Sequence, residues 1–210
     1  MKLLVIGASR GIGAVTVETA LAQGHTVRAL ARSAGDMELQ AGLEPLPGDA
    51  TDPACLAEAI DGVDAVAMTL GLPRNGSVIW TRTKLFSDAT AALLPAMEKT
   101  GVRRLIAVTG IGTGDSRSAL SWTERMTHQA LLGRAYADKD IQEEMIRGSG
   151  LDWTLVRPTI LTNGGVGHYK VLVEPGEWRM GLVSRRAVAD FVVRAAGDNE
   201  MIGKAPVLVR

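Results

Sequence analysis

The stretch Lys2-Leu3-Leu4-Val5-Ile6-Gly7-Ala8-Ser9-Arg10-Gly11-Ile12-Gly13 decides the fold of this 210-residue chain. Its first five residues form an apolar run of strand length, and a glycine-rich turn follows at once. A helical stretch then continues to Gly24, and residues 25–31 are predicted to form a second strand. A strand, a glycine turn, a helix and a strand within about 30 residues are the context that a dinucleotide-binding turn requires.

The glycine turn has the properties that a pyrophosphate needs. Glycine permits a positive φ and a close approach of the backbone to a ligand. The helix that begins near Gly11 presents unpaired N–H groups and the positive end of its dipole. A glycine turn can also merely join a strand to a helix, so the flanking elements support the functional interpretation. The predicted ligand-binding residues of the turn are Gly7, Ser9, Arg10, Gly11, Ile12 and Gly13.

The end of the second strand indicates which dinucleotide binds. Enzymes that use NAD usually place an acidic residue there, whereas an arginine suits the 2′-phosphate of NADP. This chain has Arg32-Ser33 at that place and no acid before Asp36. Arg10 is a second cation, and guanidinium donors match phosphate oxygens. We therefore predict NADP, the alternative being that Arg32 is only a solvated residue at a strand end.

Composition limits the partners of the chain. The 23 basic residues balance the 23 acidic ones, so no basic field exists for nucleic acid. A single cysteine, Cys55, excludes an internal disulfide and fits a reducing compartment. No apolar stretch approaches the length of a membrane span, and no two histidines have metal-ligand spacing. We predict a cytoplasmic protein that acts on a small molecule without nucleic acid, membrane or metal, and its oligomeric state stays open.

Strands and helices are predicted to alternate along the whole chain, which implies right-handed crossovers and one doubly wound parallel sheet of Rossmann type. We predict a single α/β domain over 1–210, with a loop-rich segment at 163–183 that covers the substrate. The further predicted strands are 43–47, 63–70, 103–109, 152–158 and 207–209. The further predicted helices are 53–60 capped by Asp52, 77–100, 121–148 with a capping box of Ser121 and Glu124 and a break at Gly133, and 184–196.

Residues 7–13, 27–33, 48–49, 65–71 and 149–158 together carry a family resemblance. With these segments nearly the whole chain resembles the atypical branch of the short-chain dehydrogenases/reductases. The layout is most similar to NAD(P)H-binding proteins of the flavin reductase/biliverdin reductase B-like type and to the related NmrA-like proteins. This resemblance implies a Rossmann fold and NADPH, but it does not fix a substrate.

The resemblance also implies roles for particular residues. It places Asp49, with the adjacent Ala50, beside the adenine. Because ligands bind outside the carboxyl ends of the strands, the nicotinamide is expected between three strand ends. Trp80 is expected to add an aromatic wall there. The strand-end residues are Leu70, Gly71, Thr109, Gly110, Pro158, Thr159 and Ile160.

The chain departs from the family pattern in three places. Arg10 occupies the middle glycine position of the Gly-x-x-Gly-x-x-Gly turn that the atypical branch usually has. Thr109-Gly110 replaces the Thr-Ser of the flavin reductase-like proteins. Lys139 matches the lysine of the Tyr-x-x-x-Lys pair, but that alignment puts Ala135 in the tyrosine position and displaces Tyr136 by one residue.

The catalytic candidates are therefore Thr109, Tyr136 and Lys139. One residue turns a helix by about 100°, so Tyr136 points elsewhere if the family register is strict. Residues three apart are nevertheless neighbours on a helix surface, so Tyr136 beside Lys139 is also a candidate general acid. Lys139 is either a ligand of the cofactor ribose or a solvated lysine.

The leading functional prediction is an NADPH-dependent reductase of a flavin-like, quinone or small carbonyl acceptor. We expect better turnover of flavin-like or quinone acceptors than of simple ketones, because they delocalise the incoming charge and need no side-chain acid. One alternative is an NADP(H)-binding redox sensor of NmrA-like type that turns over no substrate. Another is a sugar-nucleotide epimerase or dehydratase, which the missing Tyr-x-x-x-Lys pair and the short carboxyl-terminal region oppose.

Overall fold

Strands and helices alternate in the computed structural model, which describes residues 1–71 and 84–210 apart from the side chains of 127–134. The strands of this part are β1 Lys2–Ile6, β2 Thr26–Ala31, β3 Leu43–Pro47, β4 Ala65–Met68, β5 Arg104–Val108, β6 Asp152–Pro158, β7 Ile160–Thr162, β8 Lys170–Leu172, β9 Leu182–Ser184 and β10 Val207–Val209. Its α-helices are α1 Gly11–Ala22, α2 Pro53–Ile60, α3 Leu85–Thr100, α4 Trp122–Gly148 and α5 Arg185–Ala196.

The central sheet has the order β3-β2-β1-β4-β5-β6-β10-β8. Its neighbours are parallel except for β8, which is antiparallel to β10. The strand order reverses at β1, where Ile6 is in register with Leu30 of β2 on one side and with Met68 of β4 on the other. A reversal of this kind opens a crevice at the carboxyl ends of the strands. The predicted doubly wound Rossmann sheet is confirmed.

Both faces of the sheet are covered by helices, which explains why its strands are apolar throughout. Leu3 and Val5 of β1 belong to a core cluster with α1 and α5. Leu4 and Ile6 belong to the opposite cluster, which includes side chains of α2, α3 and α4. Successive residues of one strand therefore stabilise two layers of helices.

The local signals for helix starts are confirmed. The Asp52 side chain accepts a hydrogen bond from the Ala54 N–H at the start of α2. Ser121 and Glu124 form a complete capping box at the start of α4. Ser184 accepts from the Ala187 N–H at the start of α5. These caps satisfy N–H groups that a helix leaves unpaired in its first turn.

The structure corrects one prediction about a segment and refines another. The helix predicted to break at Gly133 is continuous over 27 residues, because one interior glycine costs only about 1 kcal/mol relative to alanine. The segment 163–183 is rich in loops, as predicted, but it also contains β8 and the start of β9, and its role in covering a substrate stays a prediction. Leu172 and Trp178 pack with β10 in a separate apolar cluster at the edge of the sheet.

Some predictions concern residues that the structure does not describe. Residues 77–83 of the predicted long helix and Trp80 lie outside the described residues, whereas α3 begins at Leu85.

The strand predicted at 63–70 spans only Ala65–Met68. Within the described residues, no helix combines the length and the apolarity needed to cross a membrane.

Candidate functional site

A cleft of about 1130 Å³ lies above the glycine turn, at the carboxyl edge of the sheet. Its volume exceeds the range of about 300–1,000 Å³ that is usual for small-molecule pockets, which fits a ligand as long as a dinucleotide. Most of the predicted site residues line it: Gly7, Ser9, Arg10, Gly11, Ile12, Arg32, Ser33, Asp49, Ala50, Leu70, Gly71, Thr109, Lys139 and Pro158.

The glycine turn depends on glycine at specific positions. Gly7 and Gly11 have φ values of +86° and +62°, in the left-handed region that favours glycine. A Cβ at Gly13 would overlap the Gly7 carbonyl and lie 2.7 Å from Thr69 Oγ1. Gly13 therefore allows α1 to pack directly against β1 and β4. The residue before α1 is Arg10, whose guanidinium has no acceptor, so its side chain caps none of the first N–H groups of α1.

Two arginines and one aspartate lie at the end of the cleft formed by β2 and the loop after β3. Arg10, Arg32 and Asp49 are all exposed. Hydrogen bonds from the Thr51 N–H and hydroxyl, at 2.9 and 2.8 Å, lower the pKa of Asp49, and the charge of Arg32 adds to this effect. In the described part of the chain neither arginine forms a salt bridge. Both guanidinium groups can therefore bind a phosphate.

Lys139 places a buried ammonium group at the carboxyl end of β5. Its Nζ donates to the carbonyl oxygens of Thr109 and Val108, at 2.7 and 3.2 Å. The same Nζ lies 4.4 Å from the centroid of the Phe86 ring. Burial lowers the pKa of Lys139 to about 8. Since Lys139 also lines the cleft, it is a buried donor there and not a solvated lysine.

Tyr136 points at the end of β5, although the family register turns it away. A Cβ at Gly110 would lie 2.5 Å from Tyr136 Oη and 3.2 Å from Cζ, so the phenol occupies the space of a side chain at position 110. The two departures from the family pattern, glycine in place of serine at position 110 and the displaced tyrosine, therefore depend on each other, because only glycine at position 110 leaves room for the Tyr136 hydroxyl. Burial raises the pKa of Tyr136 to about 12, so the phenol is protonated at neutral pH. Ala135 is itself buried.

A buried charge network lies behind the catalytic candidates. Glu143 Oε1 accepts from Thr109 Oγ1 at 2.7 Å and from Thr113 Oγ1 at 2.6 Å. The guanidinium of Arg157 donates to both carboxylate oxygens of Glu143, and its side chain is fully buried. These hydrogen bonds offset part of the cost of burying the two charges. The hydroxyl hydrogen of Thr109 is donated in the hydrogen bond to Glu143, so the Thr109 hydroxyl can only accept a hydrogen bond from a ligand in the cleft.

Sequence reasoning missed this network. Its available signals were Glu143 four residues after Lys139 and an arginine inside the apolar strand β6.

Four of the predicted cofactor residues do not line the cleft. Gly13 lies beneath the turn, and Gly110 lies beneath Tyr136. The Thr159 hydroxyl donates to the Leu208 carbonyl at 3.0 Å, away from the cleft. Ile160 belongs to β7 and is 55% exposed. Conversely, the cleft includes residues that the sequence did not indicate, among them Leu161 and Arg185, and it also includes Asn163, the first residue of the segment predicted to cover the substrate.

The glycine turn and its cleft at the strand-order reversal define a dinucleotide-binding protein of Rossmann type. The chain belongs to the NAD(P)H-binding family, whose model matches residues 7–199. This match confirms the resemblance inferred from the sequence.

Individual relatives agree with the family assignment. The chain is similar to ChuY, an anaerobilin reductase from Escherichia coli O157:H7, with 27% identity, a TM-score of 0.83 and coverage of 100% of this chain and 97% of ChuY. It is 28% identical to YhfK of Bacillus subtilis, described as an uncharacterized sugar epimerase, over 98% of this chain and 92% of YhfK. A Veillonella parvula short-chain dehydrogenase/reductase solved in complex with NADP shares the fold, with 19% identity, a TM-score of 0.82 and coverage of 100% and 94%.

Proposed function

We propose that this protein is an NADPH-dependent oxidoreductase that reduces a flavin-like, quinone, bilin or small carbonyl acceptor. The observation that carries the proposal is the continuity of one cleft. It joins Arg32 at the end of β2 and Arg10 in the glycine turn, neither of which forms a salt bridge within the described residues, to the buried Lys139 at the end of β5. A phosphate site and a hydrogen-bond donor of this kind suit the two ends of NADPH.

The choice of NADP over NAD rests on charge. Arg32 lies where an NAD enzyme usually has an acid that accepts from the ribose 2′-hydroxyl. Arg10 supports it from the glycine turn, and Ser33 adds a hydroxyl. Hydrogen bonds to charged partners are worth about 1.5–3 kcal/mol each, so two guanidinium contacts favour NADPH strongly.

The residues at the carboxyl ends of the strands then orient the reacting groups. The bound nucleotide supplies the hydride, and the chain contributes binding and orientation. Lys139 Nζ is the donor for the ribose hydroxyls next to the nicotinamide. Leu70, Gly71 and Pro158 form the walls on either side. Tyr136, which holds a neutral phenol over Gly110 at the end of β5, is not among the residues that line the cleft.

The proton chemistry favours acceptors that delocalise charge. A general acid works best when its pKa lies near the operating pH. The pKa of Tyr136 is about 12, and Lys139 is hydrogen-bonded to two backbone carbonyls. A flavin, quinone or bilin takes its proton from water more readily than a simple ketone does. The similarity to ChuY supports a bilin as one member of this class.

Two other functions use the same cleft. A redox sensor binds NADPH without consuming it, and an epimerase, which the similarity to YhfK suggests, needs a tyrosine that serves as a base. A phenol whose pKa is raised to about 12 is a poor base precursor, which opposes the epimerase.

The test is NADPH oxidation against a panel of flavins, quinones, bilins and carbonyls, with sugar nucleotides in a separate arm. We expect consumption with at least one delocalised acceptor and no epimerisation. Tight NADPH binding without consumption by any acceptor would favour the sensor instead.

A further inference from the structure

The cleft contains a further cation, Arg185, in addition to Arg10, Arg32 and Lys139. Arg185 is the first residue of α5 and is partly buried, and it lines the cleft together with Leu161 and Asn163. The next residue, Arg186, is exposed and does not line the cleft. The two arginines are thus adjacent in sequence but differ in environment.

A small two-stranded sheet positions Arg185. β7 continues the chain just beyond the end of β6, and it pairs in parallel with β9, which leads directly into α5. The register places Thr162 opposite Ser184. As a result Arg185 Nη1 donates to Asn163 Oδ1 at 2.6 Å and to the Thr162 carbonyl at 3.3 Å. The guanidinium is therefore held at the wall of the cleft from one side.

The charge of Arg185 has no counterion within the described residues. No carboxylate there forms a salt bridge with it, and only Nη1 donates a hydrogen bond to those residues. Nε and Nη2 remain as donors. A planar guanidinium with two such donors is suited to bidentate binding of a phosphate or carboxylate. The wall of the cleft therefore carries a guanidinium that is oriented to bind an anion.

The topology brings Arg185 close to the glycine turn. β10 is parallel to β6, so α5 runs from the carboxyl edge of the sheet back to its amino edge. α1 runs in the same direction between the parallel strands β1 and β2. The two helices pack side by side, and both begin at the carboxyl edge. Gly11, Ile12 and Arg185 consequently line the same cleft.

We propose that Arg185, oriented by Asn163, binds the diphosphate of the dinucleotide together with the glycine turn. The inference rests on the proposed function, because it assumes that the cleft binds NADPH. The same chemistry suits an anionic group on the acceptor, so the experiment distinguishes these two sources.

The experiment measures dissociation constants of NADPH, NADH and 2′-AMP for wild type and Arg185→Gln, with Arg186→Gln as the matched control. 2′-AMP retains the 2′-phosphate but has no diphosphate. Arg185→Gln is expected to weaken NADPH and NADH alike by about tenfold or more, the effect of losing a charge-assisted hydrogen bond, and to leave 2′-AMP unchanged. Arg186→Gln is expected to change none of the three. Asn163→Ala, which leaves α5 intact, is expected to weaken both dinucleotides by a smaller factor.

Three results would overturn the inference. Unchanged binding of both dinucleotides, with a lower kcat/KM for a carboxylate acceptor but not for its ester, assigns Arg185 to the acceptor. Equal weakening of 2′-AMP and the dinucleotides shows a general loss of structure. If wild type binds neither dinucleotide, the proposed function fails as well. If wild type binds NADPH but Arg185→Gln binds it equally tightly, only the role of Arg185 is refuted and the proposed function stands.

Discussion

The contact between Gly110 and Tyr136 gives a quantitative prediction for Gly110→Ala. A Cβ at position 110 would lie 2.5 Å from Tyr136 Oη and 3.2 Å from Cζ, too close for any real side chain. Overpacking of this kind costs about 1–3 kcal/mol. Gly110 also has a φ of +156°, which residues other than glycine rarely adopt, and such backbone strain adds about 1–3 kcal/mol. Removing the phenol by Tyr136→Ala relieves the overpacking but not the backbone strain.

A double-mutant cycle separates these two costs. The free energies of unfolding of wild type, Gly110→Ala, Tyr136→Ala and the double variant are measured in urea at equal m-values. We expect Gly110→Ala to cost about 1–3 kcal/mol less in the Tyr136→Ala background than in wild type. Gly71→Ala is the control, because Gly71 follows β4 and, its chain neighbours aside, no atom of the described residues lies within 4 Å of a Cβ there. If the two changes are additive within about 0.5 kcal/mol, the phenol does not occupy the space of a side chain at position 110.

The remaining predictions concern the cofactor and the acceptor. Arg32→Gln is expected to weaken the binding of NADPH by about tenfold or more, because it removes a charge-assisted contact worth about 1.5–3 kcal/mol, and to change the binding of NADH little. Binding of NADH by wild type as tight as that of NADPH would contradict this. The pKa of Lys139 is lowered to about 8, so NADPH affinity is expected to fall as the pH rises through about 8, because the ammonium donor is lost. NADPH titrations of Lys139→Met should show binding that is weaker than in wild type and does not change as the pH rises through about 8. If this variant keeps the pH profile of wild type, Lys139 is not the group that titrates. Tyr136→Phe is expected to retain most activity on a flavin-like acceptor, and a fall in kcat/KM of about a hundredfold or more on both a flavin and a ketone would identify Tyr136 as the acid.

Much of the fold follows from local patterns in the sequence. The glycine turn after β1, the caps at Asp52, Ser121 and Ser184, and the apolar strands all act within a few residues of one another. Such signals are readable because each one satisfies its own backbone groups or faces a known layer. The Rossmann sheet and the residues that line the cleft at the glycine turn could accordingly be predicted.

The other end of the cleft depends on contacts between distant segments. β7 and β9 have three residues each and pair across about twenty residues of chain. Because strands this short show no clear alternation of apolar and polar residues, the sequence predicts neither the strands nor the position of Arg185. The approach of Tyr136 to Gly110 is likewise visible only when α4 packs on β5. The family alignment puts Ala135 in the tyrosine position, whereas the fold brings the hydroxyl of Tyr136 against Gly110 at the end of β5.

NADPH oxidation by wild type with a flavin, a quinone and a bilin, measured beside NADPH binding in the same preparation, tests whether this protein is an NADPH-dependent reductase. We expect that NADPH binds more tightly than NADH and is consumed in step with reduction of at least one acceptor. We also expect that Arg32→Gln reduces turnover with NADPH much more than with NADH. Tight binding of NADPH with no consumption by any acceptor would contradict the claim that this protein is a reductase.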